Sequence, residues 1–141
     1  AADRVARLPR RALRHASHRF SHSQMEAYME EMVIFTKTAA MLQWLLPHCE
    51  RFPKAQPFVM TKRLQDAALA FQETIFLANA HSGRTRLNHL QTADAHLNKL
   101  RLYLRLAHEW GWLDSGPYAH ASKLVAEIGM LLGGWLRQTR G

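Results

Sequence analysis

The chain has 141 residues, 48% of them hydrophobic and 21% charged, which is apolar material for one packed core and too little for two independent domains. Nineteen Lys and Arg against eleven Asp and Glu leave a formal net charge of +8 and a pI near 10.4, a balance that favours polyanionic partners. Seven glycines and five prolines without a tract exclude a fibrous or linker-dominated protein, and one cysteine, Cys49, excludes a disulfide framework or a zinc cluster and points to a reducing cytoplasm.

Residues 1–24 read as a basic arm, in which Arg4, Arg7, Arg10, Arg11, Arg14 and Arg19 against Asp3 contribute +5 of the total charge. The composition is superficially that of a transit peptide, and Pro9 suits the start of a short helix reaching Phe20. His15, His18 and His22 recur at helical spacing, but no carboxylate or cysteine accompanies them, so no metal site is assigned. Met25 opens the periodic sequence. A product beginning there would leave the arm as an upstream extension, and the folded domain is placed at 25–141.

From Met25 to Leu46 apolar residues recur at helical spacing until Pro47, which should end the first helix. A loop with Pro47, Pro53 and Pro57 follows, and Phe58 to Ala80, free of glycine and proline, predicts the second helix. Gly83 sits where a helix C-cap would put it. The third helix is predicted from Thr85 to Trp110, bounded by Gly111, and the fourth from Tyr118 to Arg137, with Pro117 near its first position. Four such segments with short connections predict an all-α, up-down-up-down four-helix bundle. No apolar run is long enough to cross a bilayer, so no membrane partner is expected.

Bundles of this kind often hold di-iron sites built on Glu-x-x-His, and every glutamate of the periodic region fails the test. Three residues after Glu26, Glu30, Glu31, Glu50, Glu73, Glu109 and Glu127 stand Met29, Val33, Ile34, Pro53, Phe76, Trp112 and Met130. No P-loop, dinucleotide fingerprint or nucleophile elbow occurs, so no cofactor or catalytic residue is assigned. His48 beside Cys49 would make a nucleophile pair only with an exposed, activated thiol.

What remains is a set of cations on apolar helices. Arg101 and Arg105, four apart in mid-helix, project from one face and suit phosphate; Asp94, two turns earlier, would compete for Arg101. Lys99, Arg84 and Arg86 add to the same helix, while Arg137 and Arg140 end the fourth, where a cation also suits the helix dipole. The third helix is also apolar beyond one stripe. Leu102, Tyr103, Leu106 and Trp110 lie off the face of Leu90, Leu97, Leu100 and Leu104, so either a partner covers a second face or the core stripe is wide, with Tyr103 and Trp110 at its margins.

The stretch Leu90 to Leu106, with Asp94, Lys99, Arg101 and Arg105 at its polar positions, resembles the third helix of the accessory variability determinant protein, Avd, of diversity-generating retroelements. The run Ala126, Glu127, Ile128, Gly129, then Leu131, Leu132, Gly133, Gly134, Trp135, Leu136 resembles that family's closing motif. The resemblance spans 25–141 and implies a four-helix bundle assembled into a pentameric barrel with a basic surface. It implies a non-enzymatic partner of the retroelement's reverse transcriptase, its template RNA and DNA, supporting mutagenic cDNA synthesis. Arg101 and Arg105 match the family's paired arginines and Asp94 its aspartate, while Met130 stands where the family commonly has an arginine. In such a homopentamer, Leu102, Tyr103, Leu106 and Trp110 would meet a neighbour, and Gly129, Gly133 and Gly134, costly in mid-helix, would admit its close approach. The competing expectation is an interaction scaffold of the kind encoded in ribosomal RNA intervening sequences, without a nucleic-acid role; a cysteine- or histidine-dependent enzyme comes third.

Overall fold

The four apolar stripes become four helices in the computed structural model, which describes residues 21–53 and 58–141: α1, His22–Cys49; α2, Phe58–Ala80; α3, Gly83–Glu109; and α4, Ser115–Arg140. Each packs against the next and α4 closes back on α1, so the chain folds as a helical bundle, and no strand occurs among the described residues. The expected arm helix, with His15 and His18, lies outside the described residues.

Helix boundaries follow local chemistry. α1 begins at His22, three residues before the periodicity starts, because Ser21 and Gln24 form a capping box: the Ser21 N–H donates to Gln24 Oε1 at 2.8 Å and the Gln24 N–H to Ser21 Oγ at 3.3 Å. Pro47 does not end α1, contrary to expectation. The helix runs on to Cys49 because Pro47 and Gln43, whose carbonyl loses its donor, both lie on the exposed side of the last turn, while Leu45, Cys49 and Phe52 are buried and hold its other side on the core. α2 matches its predicted range. Gly83 does not cap α2; it opens α3 with φ +59°. Pro117 lies at the third position of α4 rather than the first, since Asp114 is the N-cap.

α3 ends in a Schellman motif, in which the Gly111 N–H bonds His108 O at 3.0 Å and the Trp112 N–H bonds Ala107 O at 2.9 Å. Gly111 has φ +77°, which a side chain resists. Gly111→Ala is therefore expected to cost about 1–2 kcal/mol in chemical denaturation. Gly116→Ala, where φ is not positive and a Cβ would meet nothing within 4 Å, is expected to leave stability unchanged or slightly raised.

Leu90, Ala93, Leu97, Leu100, Leu104 and Ala107 of α3 face Phe71 and Ile75 of α2 and Ile128 and Leu132 of α4 in one core. Phe35 joins three helices there, stacking on Phe76 at 5.1 Å and meeting the edge of Trp135 at 6.1 Å. Across the α1/α4 seam, Lys37 Nζ donates to Glu127 Oε2 at 2.9 Å, and that bond holds the Glu127 carboxyl below its ordinary pKa. No described helix is long and apolar enough to cross a membrane.

Candidate nucleic-acid interface

α3 and α4 run side by side, and on their outer side they leave an open groove of about 440 Å³. Asn98, Arg101, Leu102 and Arg105 form the α3 wall, Tyr118, Ser122 and Ala126 the α4 wall, with buried Leu104 and Val125 beneath. The spacing of Arg101 and Arg105 on α3 puts both side chains along this groove.

Arg101 is positioned from two sides. Its Nη1 donates to Asn98 Oδ1 at 2.7 Å, one turn back on α3, and its guanidinium lies over Gly129 of α4, where a Cβ would collide with Nη2. Asp94 does not compete. Two turns away, it makes no ion pair among the described residues, and the nearer Asn98 takes its place. Because Asn98 is neutral, Arg101 keeps its full charge for a ligand. Arg105 Nε lies 3.8 Å from Glu109 Oε1, with both side chains more than half exposed, a contact that water screens and a phosphate can replace.

The other expected cations are divided among three places. Lys99 lines a separate groove between α2 and α3. Arg84, Arg137 and Arg140 are exposed at the end of the bundle where α3 starts and α4 finishes, and Arg84 lies about 25 Å along α3 from Arg101. Arg86 serves the fold. Its Nε bonds His81 O at 2.7 Å and Ala78 O at 3.0 Å, capping the end of α2, and its guanidinium stands 5.7 Å from the Trp135 ring centroid.

Of the expected interface residues, Leu102 and Trp110 are exposed and Tyr103 and Leu106 half-buried, so within one chain α3 buries a single stripe with Tyr103 at its margin. Gly129 receives the chain's own Arg101, whereas the Arg137 side chain lies beside Gly133 and Gly134. The α4 wall was not foreseen from sequence. Asn98, a turn before Arg101, carried a readable signal; Tyr118 and Ser122 had none, because only the docking of two helices brings them to Arg101.

Burial suppresses the reactivity of the cysteine. Cys49 is 1% exposed, and burial with Glu50 beside it pushes the thiol pKa to about 12, while His48 stacks on Trp44 at 4.3 Å. At pH 8 such a thiol carries roughly three orders of magnitude less thiolate than a free one. Native protein is expected to resist iodoacetamide and to be alkylated promptly once unfolded, as mass spectrometry would show. Among the described residues no three metal-ligating side chains cluster, and His22 instead lies 3.3 Å from Glu26.

The sequence model described as bAvd-like matches residues 32–139. The chain belongs to the bAvd-like family. Its matched span takes in all of α2, α3 and the Arg101–Gly129 contact. A crystal structure of a protein of unknown function from the S23 ribosomal protein family of Bacteroides thetaiotaomicron has the same fold, with a TM-score of 0.69 at 18% identity over 77% of this bAvd-like chain and 98% of that one. Among curated proteins no match was found.

Proposed function

We propose that this chain is a non-enzymatic Avd-type accessory protein that binds template RNA and cDNA through the α3/α4 groove and works with a retroelement reverse transcriptase. The observation that carries the reading is the Arg101–Asn98–Gly129 arrangement, which holds a fully charged guanidinium in an open groove with Arg105 one turn away. Two forked donors at this spacing contact successive phosphates without reading bases, so binding is largely independent of sequence and falls with salt. Arg84, Arg137 and Arg140 extend the basic surface at the end of the bundle. Assembly into the five-subunit barrel that family membership suggests would repeat the groove around a ring and multiply its charge. Polymerase chemistry belongs to the transcriptase.

The test is reconstitution with a diversity-generating retroelement reverse transcriptase and its template RNA. Co-elution of both proteins with template RNA on size exclusion at moderate salt supports the reading. A chain that forms a homo-oligomer but retains neither RNA nor transcriptase would favour the scaffold alternative.

A further inference from the structure

A second groove, of about 490 Å³, lies on the opposite flank of α3, between α3 and α2, and its chemistry differs from the first. Lys62 and Arg63 of α2 and Lys99 of α3 line it with Asp66, Val59 and Tyr103. The charge is positive on balance. Lys62 and Asp66 approach only to 3.7 Å with both side chains mostly exposed, and Arg63 and Lys99 make no ion pair among the described residues. Burial and the neighbouring Lys99, against a smaller pull from Glu73, lower the pKa of His96 on the same wall.

The aromatic content separates the two grooves. In the α3/α4 groove, Tyr118 already stacks face to face on His108, centroids 4.3 Å apart and planes 4° from parallel. In the α2/α3 groove, Tyr103 is half-buried against the core and has no ring partner among the described residues. Val59 beside it is 63% exposed, and Trp110, two turns further along the same flank of α3, is 51% exposed. Trp110 meets Trp112 at 5.0 Å, which leaves Tyr103 as the aromatic ring of this groove, and a ring set between cations that make no ion pair fits a chain that alternates phosphates with unstacked bases. A duplex keeps its base faces inside and offers this groove only phosphates.

We propose that the α2/α3 groove binds unpaired nucleotides of a single-stranded polynucleotide, with a base on Tyr103 and the flanking phosphates on Arg63 and Lys99. This rests on the reading that the protein binds nucleic acid, and it adds a site that distinguishes single strands from duplex. α3 is then a ridge between a groove that holds any phosphate backbone and one that holds exposed bases.

Fluorescence anisotropy of the full chain tests it, using labelled oligothymidylate of about 20 nucleotides and a duplex of the same length, at about 0.15 M salt. Tyr103→Leu is expected to weaken single-strand binding roughly tenfold and duplex binding less than twofold, the loss of one base stack. Tyr103→Phe should restore single-strand binding, and Lys99→Ala with Arg63→Ala, both at exposed positions, should weaken both probes through lost phosphate contacts without touching the core. Wild-type single-strand affinity in Tyr103→Leu overturns the proposal, as does an equal loss for both probes in that variant. A change in solution mass with unaltered oligonucleotide affinity also overturns it, since the groove would then be a contact between copies. If Arg101→Ala with Arg105→Ala weakens both probes while the Tyr103 variants change neither, this inference alone fails. If the wild type binds neither probe, the nucleic-acid reading fails with it.

Discussion

Replacing Arg101 and Arg105 together by alanine is expected to weaken RNA and DNA binding at least about tenfold at 0.15 M salt, since each charge-assisted hydrogen bond to phosphate contributes about 1.5–3 kcal/mol. The salt dependence should fall too: losing two phosphate contacts lowers the slope of log affinity against log salt by roughly 1.4–1.8. The fold should be indifferent to the change. Both side chains are exposed, their partners Asn98 and Glu109 are exposed as well, and no buried group is left without a hydrogen bond. Arg101→Lys should fall between wild type and the double variant, because an ammonium keeps the charge but cannot fork between Asn98 and a phosphate. Anisotropy titrations over a range of salt, with circular dichroism as the control for folding, check both magnitudes. Unchanged affinity would remove the groove from the nucleic-acid surface.

Phe71→Ala is expected to have the largest effect on stability, about 3–5 kcal/mol, against a total of 5–15 kcal/mol for a typical domain. Phe71 is fully buried in α2, and the neighbouring core residues Ala67, Ala68 and Ala78 are too short to fill the space that its ring would leave. Urea denaturation followed by circular dichroism measures the cost. Met130→Ala on the outer face of α4, where the side chain is 76% exposed, should shift stability by less than about 0.5 kcal/mol. A cost below 1 kcal/mol for Phe71→Ala would mean that the ring does not occupy the core, and that α2 packs in a different register.

Much of this bundle was legible because its signals are local. An apolar residue every three or four positions marks the buried stripe whatever it packs against, so α2 fell on its predicted range and the buried positions of α3 followed its leucine periodicity. Errors arose where a local rule met a tertiary contact. Pro47 reads as a stop, yet the burial of Cys49 and Phe52 extends α1 past it; Gly83 reads as a cap on α2, yet the Arg86 side chain caps those carbonyls.

The grooves were legible only in part. Arg101 and Arg105 stand out as cations among leucines, but Arg101 rests on Gly129, twenty-eight residues away in sequence, and no spacing rule links them. The same holds for Lys62 and Arg63. On α2 they look like a solvated face, and only the docking of α3 brings them to Lys99 and Tyr103. Arg86 shows the converse, since its charge is indistinguishable in sequence from that of Arg84, while the fold commits it to Ala78, His81 and Trp135.

The α3/α4 groove can be tested as a nucleic-acid interface with a photo-crosslinking side chain placed at Ser122, on the α4 wall, and in a second protein at Leu69, an exposed position on α2 outside both grooves. Each protein would be irradiated with labelled template RNA, and the covalent adducts quantified. Abundant adducts at Ser122, absent at Leu69 and lost when Arg101 and Arg105 are alanine, are the expected result. Equal labelling at the two positions, or none at Ser122 while RNA is bound, would contradict it.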